Sequence, residues 1–593
     1  MKSTFRIRRE HLVLLVIAVI AGGLIFFRLN RADVQTDAGH YALRALGYFD
    51  FLDSARQTTP LQWFAPIAPP LWTKFSMHDH PPLVFLIQHA FFRLLGESDV
   101  VALLPFALAG VWSVLLIYGI GRRCGGPAMG LLAAALLSVS TFFTWSSRIG
   151  YLEGVTQAFI LLAVWLWLKA ESDSRFLPVW GAGLALAILS KYSALILIPV
   201  FGALLLLRHR AWLSDRRFWL SLGVVVALLS PVVTYNWQMW LARGHLDVQL
   251  TTLVPSSLEA ASRDWPLLFD GPRTRNIAVN LRDLGLSLSK AFSPPFVLLL
   301  AAGLAFSAWS VVRGSRRNRD LLPLFTLVSA TAFFALTAPS LRYLPILVPW
   351  LVLPSAAALA AIARWNSGSR KNAALAIIVL AAVAAGVELL FNWNTNLVLA
   401  AYGTRGRHFA AYRQERLGFQ ELVAYLLPKL AQSPTYRPAV RSFATYEEWQ
   451  NIHLTAGEDV LLYDDGLTWF SAFWYLRRYR VYHDVDALLL PTDVVVGLGE
   501  DWLPRLARAG IRTAYVVIGN NPRVYDPWAA QEGEQLASKK IGAGLQRMLD
   551  GGAPGRVTEI VAADGQPAFK VYELFLNPAG EGQPKVTTTP SSL

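Results

Sequence analysis

The chain has a single cysteine, Cys124, in 593 residues. That excludes an intrachain disulfide and any metal cluster built on cysteine. Charge is scarce as well: charged residues are 16% of the sequence, against a hydrophobic share of 54%. A soluble protein needs more charge to cover its surface, and a disordered one carries far less apolar content. An ordinary cytosolic enzyme is therefore excluded. No Walker or zinc-spacing motif and no internal repeat is present. Gly497-Leu-Gly-Glu-Asp-Trp lacks the third glycine of a dinucleotide fingerprint.

What is abundant is long apolar runs. Several match or approach the ~20 residues that a helix needs to cross a bilayer. They lie near 12–27, 99–120, 127–145, 152–169, 176–190, 192–207, 218–237, 292–312, 321–338, 343–363 and 373–391. Ser190-Lys191-Tyr192 breaks 176–207 into two short crossings. The first run follows Lys2, Arg6, Arg8 and Arg9 but no small-residue cleavage site follows it, so it reads as an uncleaved span with its N-terminus inside. The total is about eleven spans. With that start, alternate short loops carry Arg122/Arg123, Lys169/Arg175, Arg208/Arg210/Arg216/Arg217, Arg313/Arg316/Arg317/Arg319 and Arg364/Arg370/Lys371. These are the cytoplasmic loops of the positive-inside rule. The net charge of +14 thus points to loops and anionic lipid, and not to nucleic acid.

The fold class expected is a polytopic α-helical membrane protein with a C-terminal extracytoplasmic α/β domain. Residues 1–392 form the membrane part, with outer loops 30–98 and 238–291. In the first loop, the stretch from Tyr41 and the stretch Leu83 to Leu95 are amphipathic at helical spacing and suit the outer surface. From 393 to 579 no spanning run occurs. Short β-rich runs at Asp459, Asp493 and Thr513 alternate with helical stretches such as Trp502 to Gly510. The polar residues 580–593 read as a disordered tail.

Ionisable groups gather at span ends on the predicted outer side. They are Asp37, His40 and Tyr41 after the first span; Asp79 and His80 before the second amphipathic helix; Arg148 and Glu153 between spans three and four; Lys191; and Arg342 with Tyr343. Charge at such depth usually serves a purpose. Each group also has a plainer reading. Asp37 caps the helix from Ala38, and Asp79 caps a turn. Lys191 snorkels, Arg342–Tyr343 anchors the interface, Arg148–Glu153 is a structural ion pair, and His40 and His80 are loop histidines. Glu388, near the end of the last span, receives no role. Taken together, carboxylates and cations at one leaflet suit a lipid phosphate. If a lipid-phosphate sugar is the donor, its phosphate leaves without a general acid. A base must then take the acceptor's proton, and cations must meet the charge building on phosphate.

The same residues carry a family resemblance. The ordered motifs are Thr36-Asp37-Ala38-Gly39-His40-Tyr41, His80-Pro81-Pro82-Leu83, Ser147-Arg148 through Leu152-Glu153, Leu184 through Ser190-Lys191, and Arg342-Tyr343 through Pro349. Over roughly residues 10–390 this set resembles the bacterial GT-C glycosyltransferases. More narrowly, it is similar to glycosyltransferase family 39 and its aminoarabinose transferase branch. The resemblance implies an inverting transfer from a polyprenyl-phosphate sugar, no cofactor and no obligatory metal. The site implied lies at the periplasmic face of a bacterial inner membrane. It implies Asp37 as general base or acceptor-orienting acid and Glu153 as the second acid. His40, Tyr41, Asp79, His80, Arg148, Lys191, Arg342 and Tyr343 would hold the donor phosphate or shape the site. The acceptor would be lipid A, a cell-envelope glycan or a protein.

Three features depart from the family pattern. Ala38 follows Asp37 where many relatives have a second acid, and His40 and His80 stand where relatives often carry Arg and Lys. Phosphate binding then leans on Lys191, Arg148 or arginines of 238–291. A transporter or flippase of a lipid-linked sugar is the alternative, although few ionisable groups lie at span centres. A scaffold displaying its C-terminal domain is a third reading, for which one span would suffice.

Overall fold

The computed structural model describes the chain apart from residues 1–8, 51–58, 253, 265–275, 316, 338–339, 365–367, 399–414, 443–447, 449–458, 465, 491–494, 496, 498–500, 526–548, 551–554, 577–586 and 589–593. The chain forms two compact units. One comprises Met1–Leu29, Leu52–Gln57 and Leu71–Arg413; the other comprises Asn30–Phe51, Thr58–Pro70 and Gln414–Leu593. This corrects the sequence reading of 30–98 as one loop of the membrane part. Its first portion folds with the C-terminal residues.

Among the described residues of the first unit, eight helices are long and apolar enough to cross a membrane: Arg9–Phe26, Asp99–Gly125, Leu152–Ala170, Arg216–Arg243, Pro294–Val312, Asn318–Thr337, Leu341–Ile362 and Lys371–Val398. The run expected as one span at 127–145 is a pair, Pro127–Val139 and Thr141–Arg148, bent by 65°. The two crossings read around Lys191 are shorter apolar helices, Ser174–Ser190 and Tyr192–Arg208. Aliphatic side chains stay exposed along several long helices, including Leu12, Leu15 and Val19 on the first and Leu375, Leu380 and Val383 on the last. In water such surfaces would aggregate; in a bilayer they face lipid tails. Between helices, small residues permit close approach. A Cβ on Gly121 would sit 2.9 Å from the Gly130 Cα, so Asp99–Gly125 and Pro127–Val139 touch backbone to backbone.

The bend at Ser140 has a buried polar cause. Glu388 is fully buried in the last helix, and its two carboxylate oxygens accept from Thr141 N at 2.8 Å and Ser293 N at 2.7 Å. One turn on, Asn392 Nδ2 donates to Val139 O at 3.0 Å and Thr144 Oγ1 at 2.8 Å. Asn396 Nδ2 donates to Thr141 O at 3.0 Å. A helix broken inside a bilayer needs partners for the backbone groups it frees, and this ladder supplies them.

The second unit is built on a mixed sheet of strands β1 (Asp459–Asp464), β2 (Ala487–Leu490), β3 (Thr513–Gly519), β4 (Gly555–Val561), β5 (Pro567–Phe575) and β6 (Thr587–Thr588), in the order β2-β1-β3-β5-β4-β6. The β2–β1–β3 pairs are parallel, and β5 is antiparallel to both β3 and β4. Val460, Leu462, Val516, Ile518, Tyr572 and Leu574 pack with Trp502 into its core. The strands expected at Asp459 and Thr513 are present, and so is the helix from Trp502. The strand expected at Asp493 lies mostly outside the described residues; of that run Val495 and Gly497 are described, both helical. The tail expected from 580 lies outside the described residues except for Thr587–Thr588, which pair with β4.

Asp37–Gly47 forms a helix whose residues from Ala38 to Leu46 are all buried. It packs against Phe473–Arg477 of the same unit. Tyr482 OH donates to Leu43 O at 2.7 Å, and a Cβ on Gly47 would meet that ring at 2.3 Å. The amphipathic pattern read from the sequence is therefore a packing face. Each large apolar side chain it buries contributes ~1.5–3 kcal/mol.

Candidate active site

The two units each carry part of the predicted inventory. In the first unit, Glu153 lies in the opening turn of Leu152–Ala170, and Lys191 sits in the extended break after Leu177–Ser190. Glu153 is 2% exposed and Lys191 5%. Lys191 Nζ is bonded to Glu153 Oε1. The same ammonium lies 4.5 Å from the centre of the Tyr343 ring, and the Arg342 guanidinium lies 4.9 Å from it. Arg342 Nη2 also donates to Tyr343 OH at 2.7 Å. Two cations thus lie within reach of one aromatic ring, whose quadrupole attracts both. Glu153, Lys191, Arg342 and Tyr343 come together although they are far apart in sequence.

Tyr192, next to Lys191, begins a second cluster. Its hydroxyl donates to Asp247 Oδ2 at 2.7 Å. Asp247 N donates to Asn236 Oδ1 at 2.8 Å, and Val248 N to His78 O at 3.0 Å. The loop from His78 carries Asp79 and His80, whose Oδ2 and Nδ1 are 3.0 Å apart. Burial pushes the Asp247 carboxyl up to about 6. Hydrogen bonds from Leu250, Tyr192 and Asn236 oppose that rise, and the Asp79 charge adds to it. Because the folded state holds this proton more tightly than the unfolded chain does, stability falls as pH rises from about 4 to about 6, by up to ~3 kcal/mol. Asp247→Asn is expected to remove that dependence. Unfolding midpoints compared at about pH 4.5 and pH 7 check this, and an undiminished pH difference in the variant contradicts it.

Arg148 binds backbone carbonyls. Its Nη1 donates to Leu24 O at 3.0 Å, Ile25 O at 2.6 Å and Phe27 O at 3.0 Å, and its Nη2 to Arg28 O at 3.0 Å. It closes the C-terminal end of the first helix, where carbonyls lack partners and the helix dipole favours a cation. Neither expectation for Arg148, as a phosphate ligand or as the ion-pair partner of Glu153, included these carbonyl partners. Arg148→Met should destabilise the protein by about 3 kcal/mol, since it strands buried carbonyls. It should leave affinity for undecaprenyl phosphate unchanged. A lost affinity in a variant of unchanged unfolding midpoint would contradict that.

Two arginines of 238–291 are paired with acids. Arg243 Nη2 pairs with Asp264 Oδ1 at 2.5 Å, and Arg282 Nη2 with Asp283 Oδ1 at 3.1 Å. Arg273 and Arg275 lie outside the described residues.

In the second unit, Asp37 is the first residue of its helix, partly exposed, and Thr36 before it occupies the cap position. The expectation that Asp37 caps a helix from Ala38 is thus off by one position. His40 is buried with its ring 5.3 Å from that of Phe473. Tyr41 is buried, and Arg44, one turn on, is fully enclosed. Among the described residues no three His, Cys, Asp or Glu side chains gather to hold a metal ion.

Sequence reasoning missed Tyr192, Asn236 and Asp247. The first lay in view, within the Ser190-Lys191-Tyr192 break. Asp247 sat among many charges of a long loop, and nothing local marks its burial.

Comparison with known proteins agrees with the resemblance in the motifs. Residues 79–235 match the family described as dolichyl-phosphate-mannose-protein mannosyltransferase. A protein of Bacillus subtilis (strain 168), named "Putative mannosyltransferase YkcB", is 26% identical over 173 residues, 28% of this chain. The match spans only 23% of that relative. ArnT from Cupriavidus metallidurans, in its apo crystal structure, superposes with a TM-score of 0.52 at 15% identity, over 96% of this chain and 99% of its own. The same protein bound to undecaprenyl phosphate gives 0.52 at 13%, again over 96% of this chain and 99% of its own. An Archaeoglobus fulgidus oligosaccharyltransferase gives 0.50 at 13%, over 94% of this chain and 72% of its own. At such identities the likeness to solved structures is one of fold. The chain resembles the GT-C glycosyltransferases.

Proposed function

We propose that this chain is an inverting, metal-independent glycosyltransferase. It moves a sugar from a polyprenyl-phosphate donor to a cell-envelope acceptor (lipid A, a glycan or a protein) at the periplasmic face of a bacterial inner membrane. The observation that carries the reading is the buried Lys191, held by Glu153 over Tyr343 beside Arg342. Its weight comes from the fold shared with an ArnT crystallised with undecaprenyl phosphate.

In this reading Asp37 accepts the proton of the acceptor hydroxyl or amine. The freed lone pair attacks the anomeric carbon from the face opposite the phosphate, so the configuration inverts. The bond from that carbon to the phosphate oxygen breaks, and its electron pair leaves with polyprenyl phosphate. Lys191 and Arg342 meet the charge that builds there, the kind of electrostatic help that matters most in a dry site. Glu153 keeps the Lys191 ammonium in place, and Tyr343 braces both cations. Asp79, His80, His40 and Tyr41 shape the substrate sites. The alternating basic loops support a cytoplasmic N-terminus. The reading is tested by anomeric configuration: NMR of the product should show the linkage opposite to that of the donor, and retention would rule out single displacement.

A further inference from the structure

Asp33 lies four residues before Asp37, and its carboxylate does the work of a helix cap for a distant part of the chain. It accepts from the backbone N–H groups of Leu417 at 2.6 Å, Gly418 at 3.1 Å, Phe419 at 3.3 Å and Gln420 at 3.3 Å. These open the helix Phe419–Leu430, which begins 386 residues downstream in sequence. A cap normally comes from the helix's own N-terminal residue. Here that residue is Gly418, at φ 98°, where an added Cβ would sit 2.5 Å from the Ala568 Cβ. The position admits no capping side chain, and Asp33 supplies it instead.

The contact is broader than capping requires. Asp33 N donates to Glu415 O at 3.3 Å and Val34 N to Tyr475 OH at 2.9 Å. Gln420 Nε2 reaches back to Asn30 O at 3.0 Å and Ala32 O at 3.1 Å. Residues 30–35 are thus fixed, and beyond Asp37 the helix is fixed again by Tyr482 and the enclosed Arg44. Between these anchors Thr36 is held at φ 52°, ψ −144°, a region that L-residues avoid. A residue stays there only when both sides are held.

We propose that the Asp33 clasp is a positioning device for Asp37, through which the C-terminal unit sets the orientation of the acid. This rests on the reading of Asp37 as the base. Asp33 itself touches no reacting atom. Charge-assisted bonds from four amides to one carboxylate are strong enough to hold a local strain that simple loop packing would release.

The test uses the full chain in nanodiscs, as wild type, Asp33→Asn, Asp33→Ala, Asp37→Asn and the Asp33→Ala/Asp37→Asn pair. Hydrogen exchange of residues 36–44 and binding of undecaprenyl phosphate are measured on each. Transfer is followed from undecaprenyl-phosphate-linked mannose, glucose or aminoarabinose, whichever the wild type uses. Asp33→Ala should raise exchange in 36–44 at least tenfold and lower kcat roughly 10²-fold, the usual penalty of a small misplacement. Donor KM and undecaprenyl phosphate affinity should stay within twofold. Asp33→Asn, which keeps one acceptor oxygen, should fall between, and the pair should be no slower than Asp37→Asn alone. Unchanged exchange overturns the clasp whatever Asp37 does. Loss of rate together with loss of undecaprenyl phosphate binding also overturns it, since that marks general unfolding. Wild-type transfer by Asp37→Asn overturns the reading of Asp37 as base, and with it the link from clasp to catalysis.

Discussion

Asp37→Asn should lower the transfer rate by roughly 10³-fold, about 4 kcal/mol of barrier, while leaving undecaprenyl phosphate bound as before. The side chain is partly exposed at the start of its helix, so the near-isosteric change should cost the fold little. Asparagine keeps the shape and one acceptor oxygen but cannot take a proton. A loss confined to kcat is therefore the mark of a base. A rise in donor KM with unchanged kcat would mean that Asp37 only helps to bind. The measurement is steady-state transfer against donor concentration, with folding checked by thermal unfolding.

The second large effect is at Lys191. Lys191→Met removes a cation from the phosphate that accepts the developing charge, and such losses cost about 10²–10³-fold in kcat. It also leaves Glu153, 2% exposed, without its ammonium. Removing one partner of a buried pair costs about 3–5 kcal/mol of stability. A slow enzyme could then be merely a damaged one. The double variant Lys191→Met/Glu153→Gln separates the two. Replacing both charges should restore most of the unfolding midpoint, because no buried charge is left unpaired, while transfer stays at the level of Lys191→Met. If transfer recovers with stability, Lys191 is a structural residue and the phosphate lies elsewhere.

The membrane architecture was largely legible. Apolar runs long enough to span are a local signal, and the Ser190-Lys191-Tyr192 break was visible because a charged residue interrupts one. The pairing of Lys191 with Glu153 was not, since the partners are 38 residues apart and meet only through helix packing. The carbonyl partners of Arg148 were hidden for a related reason. A charge at a span end looks the same whether it awaits a ligand or caps a neighbouring helix, and backbone carbonyls leave no trace in sequence. The bend at Ser140 was hidden because its cause, Glu388, lies 247 residues from its partner Thr141. The division into units was hidden as well: Asp33 and Gln35 are unremarkable loop residues until residues 415–420 fold against them. The β4–β5 hairpin went unread although Asp564-Gly565 lies in its turn, where Gly565 takes φ 78°.

The central claim is that this chain transfers a sugar from a polyprenyl phosphate without a metal. The most direct measurement is transfer of radiolabelled sugar from a panel of undecaprenyl-phosphate donors by the purified protein in EDTA, with envelope lipids as acceptors. The account predicts labelled acceptor and free undecaprenyl phosphate in equal amounts, undiminished by the chelator and lowered roughly 10³-fold in Asp37→Asn. A protein that binds undecaprenyl phosphate yet transfers nothing from any donor, while moving the labelled lipid across a bilayer, would contradict it and establish transport instead.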